Sequence, residues 1–219
     1  MSSRSYEADQ AADLAARMHH PAPAKEPQLG AFLSGERIVL RGLLPTDLGE
    51  RYLRWLNDPR VTRFLETGRF PTRVEDLEHF YRNVAANRDN VVLAIVDRQS
   101  GLHIGNVRLG PIEWIHRTAT LGILIGESEF WGRGYASETC RLVSDYAFAR
   151  LNLRKILMGV YACHRAAIRA YEKAGFQVEA VLRAQLFLEG SYHDKVLMSR
   201  FAPGFKPHAA ESCGVCSSS

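Results

Sequence analysis

The sequence predicts an α+β fold in three layers: a mixed, mostly antiparallel central sheet of about seven strands with helices on both faces. Three observations carry this. Segments of period-two and period-3.6 hydrophobicity follow one another in the order β α α β β β α β α β β. Short turn signals, Arg98 to Gly101 and the "EGS" that ends at Ser191, join consecutive strands as antiparallel hairpins. A late strand–helix–strand passage requires at least one parallel pair.

The elements follow in order. "RIVLRGL" (Arg37 to Leu43) alternates and is β-rich, hence a strand. In "TDLGERYLRWLND", Thr46 is a candidate cap, and Leu48, Tyr52, Trp55 and Leu56 share one helix face; Asn57-Asp58-Pro59 ends it. "TRVEDLEHFYRNVAAN" offers Thr72 and Glu75 as a capping box before a stripe of Leu77, Phe80, Tyr81 and Val84. Val91 to Asp97 and Leu102 to Gly110 make a hairpin, and Thr118 to Glu127 a third strand. The next helix puts Ala136, Cys140, Val143 and Ala147 on one face. Arg154 to Ala162 is a strand. "HRAAIRAYEKAGF" is a helix stopped by a left-handed cap at Gly175, with Phe176 folding back on Tyr171. Gln177 to Leu188 and Tyr192 to Arg200 are the last strands.

Composition narrows the class. The chain is 46% hydrophobic and 24% charged, ordinary for a globular protein, and no apolar run approaches the roughly 20 residues of a membrane span. The opening "MSSRSYEADQ" lacks the apolar core of a secretory signal, so a cytoplasmic protein without a membrane partner is expected. The formal charge of +4 is spread along the chain, which suits a small phosphorylated ligand as well as a polyanion; nucleic acid is not the expected partner. Residues 1–30, with the Pro-flanked His19 and His20, read as a flexible extension. Residues 31–206 read as one domain, and 207–219 as a flexible tail carrying Cys213 and Cys216. Cys140 and Cys163 read as small buried hydrophobes, and no metal site is expected. A homodimer is compatible with the sequence but not required by it.

The most informative stretch is "EFWGRGYASE". A helix N-terminus leaves its first amides unpaired and carries partial positive charge. Gly132 and Gly134 allow a sharp turn and close approach of an anion, and Arg133 adds a full charge. The set suits a pyrophosphate; a plain strand-to-helix turn is the alternative. The third glycine of a dinucleotide fingerprint, the Lys-Ser/Thr of a P-loop and a Gly-x-Ser-x-Gly nucleophile are all missing.

"WGRGYASE", then a helix, a strand and "AIRAYEKAGF", resembles the GNAT superfamily of N-acetyltransferases, in the branch of ribosomal-protein alanine and diamine acetyltransferases. The resemblance spans roughly Arg37 to Phe201. It implies acetyl-CoA as co-substrate, its pyrophosphate on the amides of Trp131, Gly132, Arg133, Gly134, Tyr135 and Ala136, and its pantetheine arm along Ile123, Leu124 and Ile125. It implies a sheet that parts between that strand and Arg154 to Ala162. Trp131 replaces the family's usual Gln or Arg. His164 and Ala167 stand where Asn and Ser are common, leaving His164 as the side chain able to donate there.

Acetyl transfer needs a neutral amine, donors for the oxyanion and a proton for the leaving thiolate. Tyr171 aligns with the family tyrosine that protonates the sulfur. Glu113, and less so His116, in "PIEWIHR" is the candidate base, with a water chain as alternative; Glu127 and Glu138 are expected to support the turn, and Asn106 to face the cleft. The implied activity is transfer of acetyl to a primary amine by direct attack in a ternary complex. The acceptor is a protein N-terminus, polyamine, amino acid or aminosugar, including a nucleotide-linked one. A non-catalytic acyl-CoA-binding module is the alternative. Asp47, Glu50, Glu75, Asp76 and Glu78 are interleaved with Arg51, Arg54 and Arg73, so no acidic polyamine pocket is legible.

Overall fold

The computed structural model describes residues 30–206. The chain divides at Gly30 into two units, and every element below belongs to the second. The expected tails, with His19, His20, Cys213 and Cys216, lie outside the described residues apart from Gly30.

Eight strands form one sheet: β1 (Leu33–Ser34), β2 (Ile38–Gly42), β3 (Val91–Asp97), β4 (His103–Glu113), β5 (Thr118–Ile125), β6 (Lys155–Tyr161), β7 (Gln177–Leu188) and β8 (Ser191–Phe201). Their order is β1-β2-β3-β4-β5-β6-β8-β7. Every pairing is antiparallel except β5 with β6. Among the described residues the helices are α1 (Glu50–Asn57), α2 (Pro59–Thr62), α3 (Val74–Ala86), α4 (Tyr135–Arg150) and α5 (Arg165–Lys173).

Alternation along the strands builds a core on each face. On one face Leu93, Ile95, Val107 and Leu121 meet Cys140, Val143 and Ala147 of α4 and Ile168 and Tyr171 of α5. On the other, Val92 and Ala94 meet Tyr52, Trp55 and Leu56 of α1 and Leu77 of α3, with Phe80, Tyr81 and Val84 packed around them. The helical stripes predicted from the sequence therefore hold.

The caps differ. Thr46 falls in a 3-10 turn (Pro45–Leu48), and Gly49 precedes α1. The reason is Asp47: its carboxylate takes two bonds from Arg41 (2.6 and 2.8 Å) and one from the Leu44 N–H (2.7 Å), which holds the chain in a turn before the helix begins. Burial works against its charge, but these donors hold the Asp47 carboxyl below the usual range. The α3 box is shifted by one residue: Asp76 accepts the Arg73 N–H at 2.9 Å. Cys163 is exposed in the turn after β6, because β6 ends at Tyr161 and the chain must turn outward to start α5.

Candidate active site

The parallel contact between β5 and β6 is short. It comprises Thr118 with Lys155, Ala119 with Ile156 and Thr120 with Leu157. Beyond it both strands continue on their outer neighbours, β5 on β4 as far as Ile125 and β6 on β8 as far as Tyr161. A gap therefore opens in the middle of the sheet and widens toward the ends of both strands.

The ladder decides which backbone groups line this gap. The Gly126 N–H donates to the Ile104 carbonyl (2.8 Å), so even-numbered residues here point their amides at β4. The odd-numbered Leu121, Ile123 and Ile125 point theirs at the gap. Consistently, the Ile125 carbonyl accepts the Trp131 indole N–H at 2.8 Å, away from β4. The main chain of Ile123 and Ile125 thus lines the open edge. Leu124 does not: its main chain faces Asn106 of β4 and its side chain packs in the α1 core.

The open edge leads into the glycine turn. Gly132 and Gly134 have φ of +73° and +88°, and a Cβ added at either would meet no atom within 4 Å. Gly134 caps α4 without any side-chain bond. Glu138 N–H donates to the Gly134 carbonyl (3.0 Å), so the N–H groups of Tyr135, Ala136 and Ser137 precede the first helical bond. Trp131 to Gly134 are exposed. The Tyr135 side chain turns back to Asp97, its hydroxyl donating at 2.7 Å, so this residue offers the turn its main chain alone. Glu138 is buried and anchors the helix start, accepting from Arg37 N (3.0 Å) and its guanidinium (3.3 Å). Glu127 accepts the Trp55 indole N–H (3.1 Å) beside Arg51 and Arg54. Both glutamates thus brace the ends of this segment.

The Ser137 hydroxyl donates to the Ala170 carbonyl at 2.9 Å, fastening the first turn of α4 to the last turn of α5 and bringing Tyr171 beside it. Gly175 is left-handed (φ +90°). The Phe176 N–H closes on the Tyr171 carbonyl at 3.0 Å, which fixes the tyrosine at the helix end. Its ring lies in the core with Cys140, and its hydroxyl has no hydrogen-bond partner among the described residues. Burial pushes the Tyr171 phenol above its ordinary value, with Cys140 contributing. Burial likewise pushes the Cys140 thiol up to about 12, leaving it an inert packing group.

His164 precedes α5, but its ring is stacked on Phe64 at 4.2 Å between centroids. Burial, with Arg63 nearby, lowers its pKa. Glu113 and His116 are not brought to this place. Glu113 pairs with Thr118, which in turn pairs with Lys155, so it stands exposed at the joined end of the two strands. Seven residues of strand, about 23 Å at 3.3 Å each, separate that end from the turn. The His116 carbonyl is taken by Arg154 at 2.8 Å. Asn106 faces α1, near Tyr52: its carbonyl oxygen is 2.9 Å from His103 Nε2, and its buried amide nitrogen makes no well-formed hydrogen bond among the described residues.

Sequence reasoning missed the surroundings of the β6 end. A cavity of about 530 Å³ lies between the ends of α1 and β6, the loop after α2 and the β7–β8 turn. Tyr161 and Phe64 meet on its side (5.6 Å), and Arg63 reaches Glu189 across the mouth (2.9 Å). Gly159, a lone glycine in an apolar strand, was the available signal for a close approach here. Among the described residues no cluster of His, Cys, Asp and Glu suits a metal, and no helix is long and apolar enough to cross a membrane.

Comparison with known proteins agrees with this geometry. Residues 37–177 match the acetyltransferase (GNAT) domain family. The chain is 31% identical to spermidine N(1)-acetyltransferase of Escherichia coli K12, over 77% of this chain and 88% of that protein. It is 32% identical to the enzyme of the same name from Vibrio cholerae O1, over 72% and 89%. The crystal structure of Vibrio cholerae spermidine N-acetyltransferase in complex with CoA and spermine superposes with a TM-score of 0.69 at 28% identity, covering 76% of this chain and 96% of that one. The chain belongs to the GNAT family and is an N-acetyltransferase.

Proposed function

We propose that residues 31–206 of this GNAT N-acetyltransferase form a catalytic domain that moves the acetyl group of acetyl-CoA to a primary amine in the cytoplasm, by direct attack within a ternary complex. The gap between β5 and β6, with the glycine turn at its end, is the observation that carries the reading. Acetyl-CoA supplies the activated thioester. The free amides of Tyr135, Ala136 and Ser137, with Arg133, take its diphosphate. The main chain of Ile123 and Ile125 takes the pantetheine arm as an added strand would be taken.

In the transfer, the amine lone pair attacks the thioester carbon. An N–H on the open edge, at Leu121 or Ile123, donates to the oxyanion. The C–S bond then breaks and Tyr171 donates its proton to the sulfur; its raised pKa keeps that proton available at neutral pH. Because Glu113 stands at the far end of β5, the ammonium proton leaves through solvent. The spermidine enzymes among the relatives support a polyamine as one acceptor within this class.

Release of free CoA thiol across a panel of amines tests the reading. Turnover with at least one amine is expected. Tight acetyl-CoA binding without thiol release from any amine would leave only a binding module.

A further inference from the structure

The acceptor wall has a charge pattern of its own. Lys195 stands directly opposite Tyr161 in the β6–β8 pair, hence on the same face as the cavity. Its side chain does not rise into solvent. A Cβ placed on Gly159 would lie 2.4 Å from Lys195 Cε and 3.2 Å from Nζ, so the side chain is laid across β6 toward the gap, in the space a larger residue would fill. The Lys195 ammonium has no hydrogen bond or ion pair among the described residues. Arg69, exposed on the cavity wall, has none either.

Of the carboxylates nearby, Glu189 and Glu127 face cations, whereas Asp194 takes a main-chain amide and keeps its charge. Glu189 is bound by Arg63 at 2.9 Å. Asp194 accepts the Ala184 N–H at 2.9 Å. Glu127 is held by Trp55 with Arg51 and Arg54 beside it. Glu66, in the same loop as Arg69, is exposed and does not line the cavity. A polycation entering here meets unpaired Arg69 on the cavity wall, Lys195 on the same face of the sheet beside it, and no wall carboxylate except Glu189, which Arg63 already holds, an arrangement that disfavours it.

Resting on the function proposed above, we infer that the preferred acceptor is a primary amine that itself carries an anionic group, a carboxylate or a phosphate, bound by Lys195 and Arg69. The anion gains charge-assisted bonds that orient the molecule. No additional co-reactant is needed: the amine loses a proton to solvent as the N–C bond forms and the C–S bond breaks.

The test is thiol release at saturating acetyl-CoA with four acceptors: spermidine, an uncharged-tail monoamine, an amino acid and an aminosugar phosphate. The last two separate carboxylate from phosphate. The expected result is a kcat/KM at least tenfold higher for one of the anion-bearing amines than for spermidine. Lys195→Gln should remove that advantage, about tenfold, through KM, and Arg69→Glu should remove part of it. Both variants should keep the wild-type Kd for acetyl-CoA, measured by calorimetry, which shows that they fold. Spermidine or the monoamine as the best acceptor, or a preference unmoved in both variants, would overturn the inference and leave the acetyltransferase reading standing. Thiol release from none of the four nor from any wider panel would overturn both.

Discussion

The two walls of the gap are built on different principles. The β5 wall offers main chain: an open strand edge at Ile123 and Ile125, then amides bared by two left-handed glycines. The β6 wall, in the proposed reading, would bind with side chains: Tyr161, Arg63 and Arg69 on the cavity and Lys195 beside it, drawn from β6, β8 and the loop after α2. A backbone site tolerates substitution at its side chains, so an exposed aromatic such as Trp131 can stand in the turn. A side-chain site does not, so it is where members of one family diverge in acceptor. The difference teaches that cofactor and acceptor should respond to separate sets of mutations.

Tyr171 is the one residue expected to serve both walls, and it carries the largest effect. Tyr171→Phe keeps the packing against Phe176 and removes the proton. It should lower kcat about 100-fold or more while leaving the acetyl-CoA Kd within about twofold. Rapid thiol assays and calorimetry on the same preparation check this; an unchanged kcat would move the acid elsewhere.

The same residue predicts a pH profile. Burial raises the Tyr171 pKa above 10, and the acid works in its protonated form, so kcat should not fall between pH 7 and 10 as the amine deprotonates. A decline with a midpoint below 10 would identify a different group as donor.

The legibility of the site follows the same division. The glycine turn announced itself because left-handed backbone leaves glycines in the sequence, and the strand–helix order around it fixed the sheet. The capping residues were misplaced by one to three positions because side chains chose partners far away: Asp47 went to Arg41 rather than leaving Thr46 to cap. Leu124 is expected on the pantetheine edge from the resemblance and Glu113 beside the acceptor from its place at a strand end, but strand parity turns Leu124 away, and the polarity of the gap leaves Glu113 at its closed end. The acceptor wall left almost no trace, since Arg63 and Glu189 meet across 126 positions of chain. Gly159 was its sole local sign.

His164 sharpens the division further. Its position resembles a cofactor contact, yet its ring stacks on Phe64. His164→Ala should raise the acceptor KM roughly tenfold, the scale of losing one stacked aromatic pair, and change the acetyl-CoA Kd less than about threefold. A larger effect on acetyl-CoA would assign the ring to the β5 wall. The smallest effect belongs to Glu113→Gln: kcat/KM within about twofold of wild type, as for any exposed residue remote from the chemistry. A 100-fold loss would restore it as the base.

The account stands or falls with the diphosphate on the bared amides of the turn. Gly134→Val adds carbon where no protein atom lies within 4 Å and puts a β-branched residue at φ +88°, so it both obstructs the ligand and strains the turn that bares the amides. Calorimetry should show the acetyl-CoA Kd rising about 100-fold, some 2.7 kcal/mol, while acetyl-pantetheine, which lacks the diphosphate, binds wild type and variant alike. An acetyl-CoA Kd unchanged in Gly134→Val would place the diphosphate elsewhere and contradict the account.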